Sequence, residues 1–159
     1  QLSPVQAILD DVRRVTGEAV HLLGFTALGV TVWEQDARAP ISDPQALTAD
    51  PTLSAAGHLW LAERFRDRPA PRAAFGRSAA QLEAITAAVS ARGYGEQAGL
   101  LSRERGCLAV PVSSRDNVTV AAVALSIPLA DVAVAARHLS ALRAAAGRLS
   151  DAGVLPQPA

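Results

Sequence analysis

The chain has 159 residues, half of them apolar, which is enough for one sizeable hydrophobic core and therefore one domain. Its 15 basic and 15 acidic residues cancel, so it lacks the summed positive field that non-specific binding to nucleic acid or to an anionic membrane requires. No apolar run approaches the roughly 20 residues that span a bilayer, and the N-terminus shows no charged-then-apolar secretory pattern, so the reading is a soluble cytoplasmic domain with no membrane partner.

Ser3-Pro4 joins an N-cap residue to a proline at the first helical position, and Val5, Ile8, Leu9, Val12 and Val15 follow at helical spacing until Gly17. Glu18–Leu23 alternates as a strand, and Ala27–Trp33 reads as its partner across a turn at Phe25-Thr26-Ala27. From Glu34 to Pro51 the chain is rich in Pro, Asp and Ala without periodicity. This predicts a long surface connection with room for one short edge strand, and such a loop in a compact domain is a candidate pocket rim. A helix from Thr52 to Phe65 presents Leu53, Ala56, Trp60 and Leu61 on one side, and a charged, proline-broken link follows over Arg66–Arg72. Ser78 caps a further helix with the stripe Leu82, Ile85 and Val89, ended by Gly93. After an irregular stretch, Cys107–Val112 and Val118–Ile127 flank a turn at Ser113-Ser114-Arg115-Asp116-Asn117. Their near-continuous apolar runs predict central strands covered on both faces. A last helix over Leu129–Asp151 buries Val132, Ala135, Leu139, Leu142, Ala146 and Leu149, closes at Gly153 and leaves residues 154–159 as a frayed tail.

The order helix, hairpin, loop, helix, helix, hairpin, helix is that of an α+β domain. Its central antiparallel sheet is built from two hairpin units, with helices mainly on one face. The other face, under the long loop and the helix after Pro51, is where a ligand pocket is expected.

No residue set in the chain reads as a catalytic apparatus. The single cysteine, Cys107, cannot form an internal disulfide, which fits a reducing compartment, and at the start of an apolar strand it reads as a small buried hydrophobe. His21, His58 and His138 lie far apart without ligand spacing and read as surface or capping residues, so neither a metal site nor a cofactor is expected. Trp60 is either core or a stacking surface for an aromatic ligand. All the basic residues are arginine, which with the alanine excess suggests a GC-rich bacterial genome. Arg103 and Arg105, beside Glu104, read as a solvated loop. The absence of methionine suggests a piece of a longer protein whose missing part lies upstream of Gln1.

Five stretches carry a resemblance. Arg92-Gly93-Tyr94 is followed by Gly106-Cys107-Leu108-Ala109-Val110-Pro111-Val112 and then by Val120-Ala121-Ala122-Val123-Ala124-Leu125-Ser126-Ile127-Pro128. Upstream stand Thr16-Gly17-Glu18-Ala19-Val20-His21-Leu22 and Ser54-Ala55-Ala56-Gly57-His58-Leu59-Trp60-Leu61. In this order they resemble the effector-binding domain of the isocitrate lyase regulator (IclR) family of bacterial transcription factors, over roughly Leu2 to Gly153. The resemblance implies a GAF-like ligand-sensing domain over residues 1–153, without enzymatic activity, assembled as a homodimer or tetramer. It also implies a winged helix-turn-helix upstream, absent from this chain, through which alone the parent would contact operator DNA. The implied effector is a small organic or aromatic acid. Carried over residue by residue, the implied effector-binding positions are Ala55, Ala56, Gln97, Cys107, Ala124 and Ser126, with Trp60 as a stacking candidate; tryptophan at Ala55 or Ala124 is expected to block binding with the fold retained.

The chain departs from the family pattern where an acidic residue is replaced by Gln97, a serine by Ala124, and a lysine by His58. Gln97 and Ser126 imply a neutral pocket that both donates and accepts hydrogen bonds. Two other classes of function stay open at this point: a ligand-free dimerisation module, suggested by the long alanine-rich helices, and a GAF-like thiol enzyme using Cys107.

Overall fold

The structure is a computed structural model that describes residues 3–69, 72–153 and 155. Helix α1 (Pro4–Thr16) begins as its sequence dictates: the Ser3 hydroxyl accepts from the Gln6 amide, the Gln6 side chain accepts from the Ser3 amide, and Pro4 occupies the first turn. Gly17 ends it in the left-handed conformation, φ 71°. Strand β1 (Ala19–Thr26) is longer than the alternation suggested and β2 (Gly29–Glu34) starts later, because Thr26 pairs with Gly29 and the turn shrinks to Ala27-Leu28.

The expected edge strand within the long connection is instead a short helix, α2 (Pro44–Ala49). The Asp43 carboxylate accepts from the Ala46 amide and Pro44 sits at the first helical position, while Leu47 is buried beneath. The helix after Pro51 divides in two. A 3-10 turn over Pro51–Leu53 precedes α3 (Ala55–Arg64), whose cap is Ser54, accepting from the Gly57 amide at 2.9 Å. A two-residue hairpin, β3 (Ala73–Ala74) with β4 (Arg77–Ser78), leads into α4 (Ala79–Arg92), capped by Ser78 and closed by Gly93 as expected.

The stretch after Arg92-Gly93-Tyr94, read as irregular, contains strand β5 (Gly95–Ala98). It is short and polar, so nothing in its own periodicity marks it. Its partner is β6 (Arg105–Ser113), which pairs in turn with β7 (Thr119–Pro128). The five strands form one antiparallel sheet in the order β2-β1-β7-β6-β5, with β7 in the middle as its continuous apolar run requires. The last predicted helix also divides: Leu129–His138 runs in 3-10 turns and only α5 (Leu139–Ala152) is α-helical. The first half is pressed against the sheet, where Val132 abuts Gly106 so closely that a Cβ on Gly106 would collide with it. The expected tail over 154–159 lies outside the described residues except for Leu155, which packs against the core.

Both faces of the sheet are covered. Helices α1 and α5 lie on one, where Leu9, Val12, Leu142 and Leu149 meet Val20, Leu22, Val110, Val123 and Leu125. On the other, Ala55, Ala56 and Leu61 of α3 and Leu47 of α2 meet Leu23, Ala109, Ala122 and Ala124, with Leu82 and Val89 of α4 in the same cluster. The helices are thus shared between the faces rather than gathered mainly on one. Val15, placed on the buried stripe by its spacing, is exposed and borders a surface groove with Ala141 and Ala144.

Candidate functional site

Sheet register assembles a row of side chains on the face that carries α3. Gln97 of β5 stands opposite Cys107 of β6, and Cys107 stands opposite Ser126 of β7. Because side chains alternate along a strand, the next row on that face is Gly95, Ala109, Ala124 and His21. Above these rows lies a cavity with about 50 Å3 open to the centre of a water-sized sphere, room for a compact ligand. Its roof is Pro40, Ile41 and Ser42 of the long connection and Leu47 of α2, so that connection is a pocket rim. Ser54 and Ala56 bring the N-terminal end of α3 to its side, and Leu101 and Ser102 close the end near β5.

Five of the seven residues implied by the resemblance, Ala56, Gln97, Cys107, Ala124 and Ser126, line this cavity. Ala55 and Trp60 do not. Ala55 is fully buried with its carbonyl against Gly95, so a tryptophan there would displace α3 from the sheet instead of filling the cavity. The Trp60 indole N–H donates to the Thr26 carbonyl at 2.7 Å and its ring meets Phe75 edge-on at 6.2 Å, which fixes it as a core residue bordering a separate groove with Phe25 and Val118. Trp60→Phe is therefore expected to destabilise the domain by about 2 kcal/mol, through the lost hydrogen bond and packing, while leaving any ligand response of the cavity unchanged. Urea unfolding and ligand titration of the variant check both halves.

Among the lining residues that the sequence reading does not single out, His21 and Arg105 carry the most chemistry. His21 is buried, at 4% exposure, and not a surface residue. Its Nδ1 accepts from the Asp36 amide at 3.0 Å, which assigns the proton of the neutral ring to Nε2. Burial pushes its pKa down to about 4, against an opposing pull from the Asp36 carboxylate. Asp36 is itself held in place by Arg13 of α1 and by Arg38, each at 3.3 Å. Burial acts to raise its pKa, but the hydrogen bonds from Arg38 and the Arg13 charge outweigh that and hold the carboxyl below the usual range. His58 is also buried; its Nε2 lies 2.8 Å from the Thr52 carbonyl and ties α3 to the preceding 3-10 turn.

The second missed residue is Arg105, which opens β6 and is not part of a solvated loop. Its Nε donates to the Ser126 hydroxyl and its Nη2 to the Ser126 carbonyl, both at 2.9 Å. Two residues before Cys107 on one strand, it shares that residue's face. A strand start placed at Cys107 hides this relation. The cavity is therefore not neutral: it carries one guanidinium and, among the described residues, no acidic side chain on its lining.

Cys107 keeps some exposure, facing the cavity it lines, while burial pushes its thiol up to about 12 against the opposing influence of the Ala55 amide and the Arg105 charge. The group stays a protonated, weakly nucleophilic thiol at neutral pH. Among the described residues no group of three or more His, Cys, Asp or Glu converges to hold a metal, and no helix is long and apolar enough to cross a membrane.

Comparison with solved structures places this architecture. The chain is similar to the C-terminal domain of the E. coli transcriptional regulator KdgR, at 22% identity and a TM-score of 0.74 over 96% of this chain and 97% of that one. It is similar to an IclR-family regulator from Rhodococcus sp., at 24% identity and a TM-score of 0.74 over 96% of this chain but only 63% of that one. A regulator of the same family from Silicibacter sp. matches at 24% identity and a TM-score of 0.74, over 99% of this chain and 68% of the other. The chain has the α+β fold of these regulator domains and spans under two thirds of the Rhodococcus protein. No model of a known protein family and no curated protein matches the chain.

Proposed function

We propose that this chain is the effector-binding domain of an IclR-family transcriptional regulator. A small organic or aromatic acid occupies the cavity between the sheet and α3 and biases a two-state arrangement of subunits in a homodimer or tetramer. That arrangement sets the spacing of winged helix-turn-helix domains on operator DNA in a cytoplasmic parent protein. The observation that carries this reading is the cavity itself: Gln97, Cys107 and Ser126, brought together from three strands, line it beside Ala56 and Ala124. The resemblance of the motifs and the likeness in fold point the same way. The protonated state of Cys107 counts against a thiol enzyme.

The test is a thermal-shift screen of the domain against small organic and aromatic acids. An effector at about 100 times its Kd adds about 2.7 kcal/mol of stability, a rise of several degrees in Tm. Ala124→Leu, which fills the cavity floor, is expected to fold and to lose that response. Unchanged affinity in this variant would place the effector elsewhere, and a pure dimerisation module would give no dose-dependent shift with any acid.

A further inference from the structure

Beside serine hydroxyls, which both donate and accept, three residues leave donors open on the cavity wall: Arg105, His21 and Gln97. Arg105 spends its Nε and one Nη2 hydrogen on Ser126. Among the described residues the Nη1–Nη2 edge has no hydrogen-bond partner, and no carboxylate lies within salt-bridge distance of the guanidinium. That edge is the fork that binds a carboxylate through two parallel N–H···O bonds. The His21 ring, with Nδ1 committed as acceptor, carries its hydrogen on Nε2. The Gln97 side-chain oxygen accepts from the Leu100 amide at 3.0 Å, which leaves its NH2 group as the open end. A half-buried guanidinium without a counter-ion is costly, and a ligand anion would relieve that cost.

We propose that the cavity selects a monocarboxylate bearing a second acceptor oxygen, a hydroxy or oxo acid. Arg105 takes the carboxylate on its open edge, and His21 and Gln97 donate to the second oxygen. This rests on the reading of the cavity as an effector site and names what that site prefers. The chemistry disfavours two other classes. A neutral amide lacks the charge that the open guanidinium edge would pair with, and a dicarboxylate brings a second charge for which the lining, among the described residues, has no second cation. Arg105 is then the residue that sets the charge of the effector, and it does so while holding Ser126 in place.

The experiment measures thermal shifts of the 159-residue chain with lactate, mandelate and salicylate, each against its primary amide, and with malate as the dicarboxylate counterpart of lactate. At least one monocarboxylate is expected to raise Tm with concentration, its amide is not, and malate binds more weakly than lactate. Arg105→Gln should weaken the responding acid about tenfold or more, and Arg105→Lys, which keeps charge but not the fork, should fall between it and the parent. The unliganded Tm of both variants reports whether they fold. An acid whose affinity survives Arg105→Gln, or an amide that binds as well as its acid, overturns the assignment and leaves the effector site standing. No shift with any of the three acids overturns this ligand class, whereas failure of the wider acid screen would remove the effector reading as well.

Discussion

Replacing Gly95 by alanine is expected to lower the stability of the domain by about 3 kcal/mol, the reverse of what strand propensity implies. In an ordinary strand the change stabilises by roughly 0.5–1 kcal/mol, because alanine loses less backbone entropy than glycine on folding. At Gly95 the added Cβ would meet the carbonyl of Ala55, a backbone group that no rotamer change can move aside. Either β5 leaves the sheet or the start of α3 shifts, and both borders of the cavity go with it. Gly147, inside α5, supplies the control: nothing lies within 4 Å of its added Cβ, so Gly147→Ala is expected to stabilise by up to about 1 kcal/mol. Urea unfolding of the two variants decides the matter. Equal and favourable changes at both sites would mean that the contact between β5 and α3 is looser than the structure has it.

The second large effect is a loss of stability on mild acidification. In the unfolded chain His21 titrates near its ordinary value of 6.5, and in the fold burial holds it down at about 4. Between these two values the unfolded state binds a proton that the folded state does not, so stability rises with pH across this window and is lost as pH falls from 6.5 toward 4. The interval corresponds to about 3 kcal/mol. His58 is depressed in the same direction, again with burial as the main cause, and contributes with the same sign. Asp36 behaves as acids do: its depressed carboxyl contributes stability at and above the usual carboxylate range, and this is lost only at lower pH. Stability measured against pH for the parent and for His21→Gln isolates the term, since the variant keeps His58 and Asp36. A parallel pair of curves between pH 4 and 6.5 would show that His21 is protonated in the fold at no cost. The neutral ring matters to the proposed site as well, because its Nε2 hydrogen is a donor at every pH above this window.

Much of the scaffold was legible because it rests on local chemistry. Ser3-Pro4 and Ser78 start their helices through hydrogen bonds made within three residues, and Gly17, Gly93 and Gly153 end theirs by adopting positive φ. The apolar run of β7 announced a central strand because a strand covered on both faces has no polar side to show. The site was legible only in part. Gln97, Cys107, Ala124 and Ser126 were reached through the resemblance, and the register places them on one wall. Arg105 and His21 were passed over because an arginine beside a glutamate and an isolated histidine each look ordinary in one dimension. Trp60 was counted as a candidate because apolar spacing on a helix does not reveal which neighbour the face meets; its partners prove to be Thr26 and Phe75.

By itself, then, the order of residues determined the α+β class, the caps, the central hairpin and the face on which a pocket lies, since each depends on propensity, periodicity or hydrogen bonds between near neighbours. Tertiary structure alone decided that Gly95–Ala98 is a strand, that Leu129–His138 winds as 3-10 turns, and that Arg105 turns onto Ser126 at the cavity wall. The physical reason is the same in all three. A short polar segment becomes a strand only where an unpaired edge such as that of β6 accepts it. A helix start tightens where Val132 must sit against a glycine. An arginine becomes a receptor only when a neighbouring strand supplies the hydroxyl and carbonyl that hold one of its edges and leave the other open.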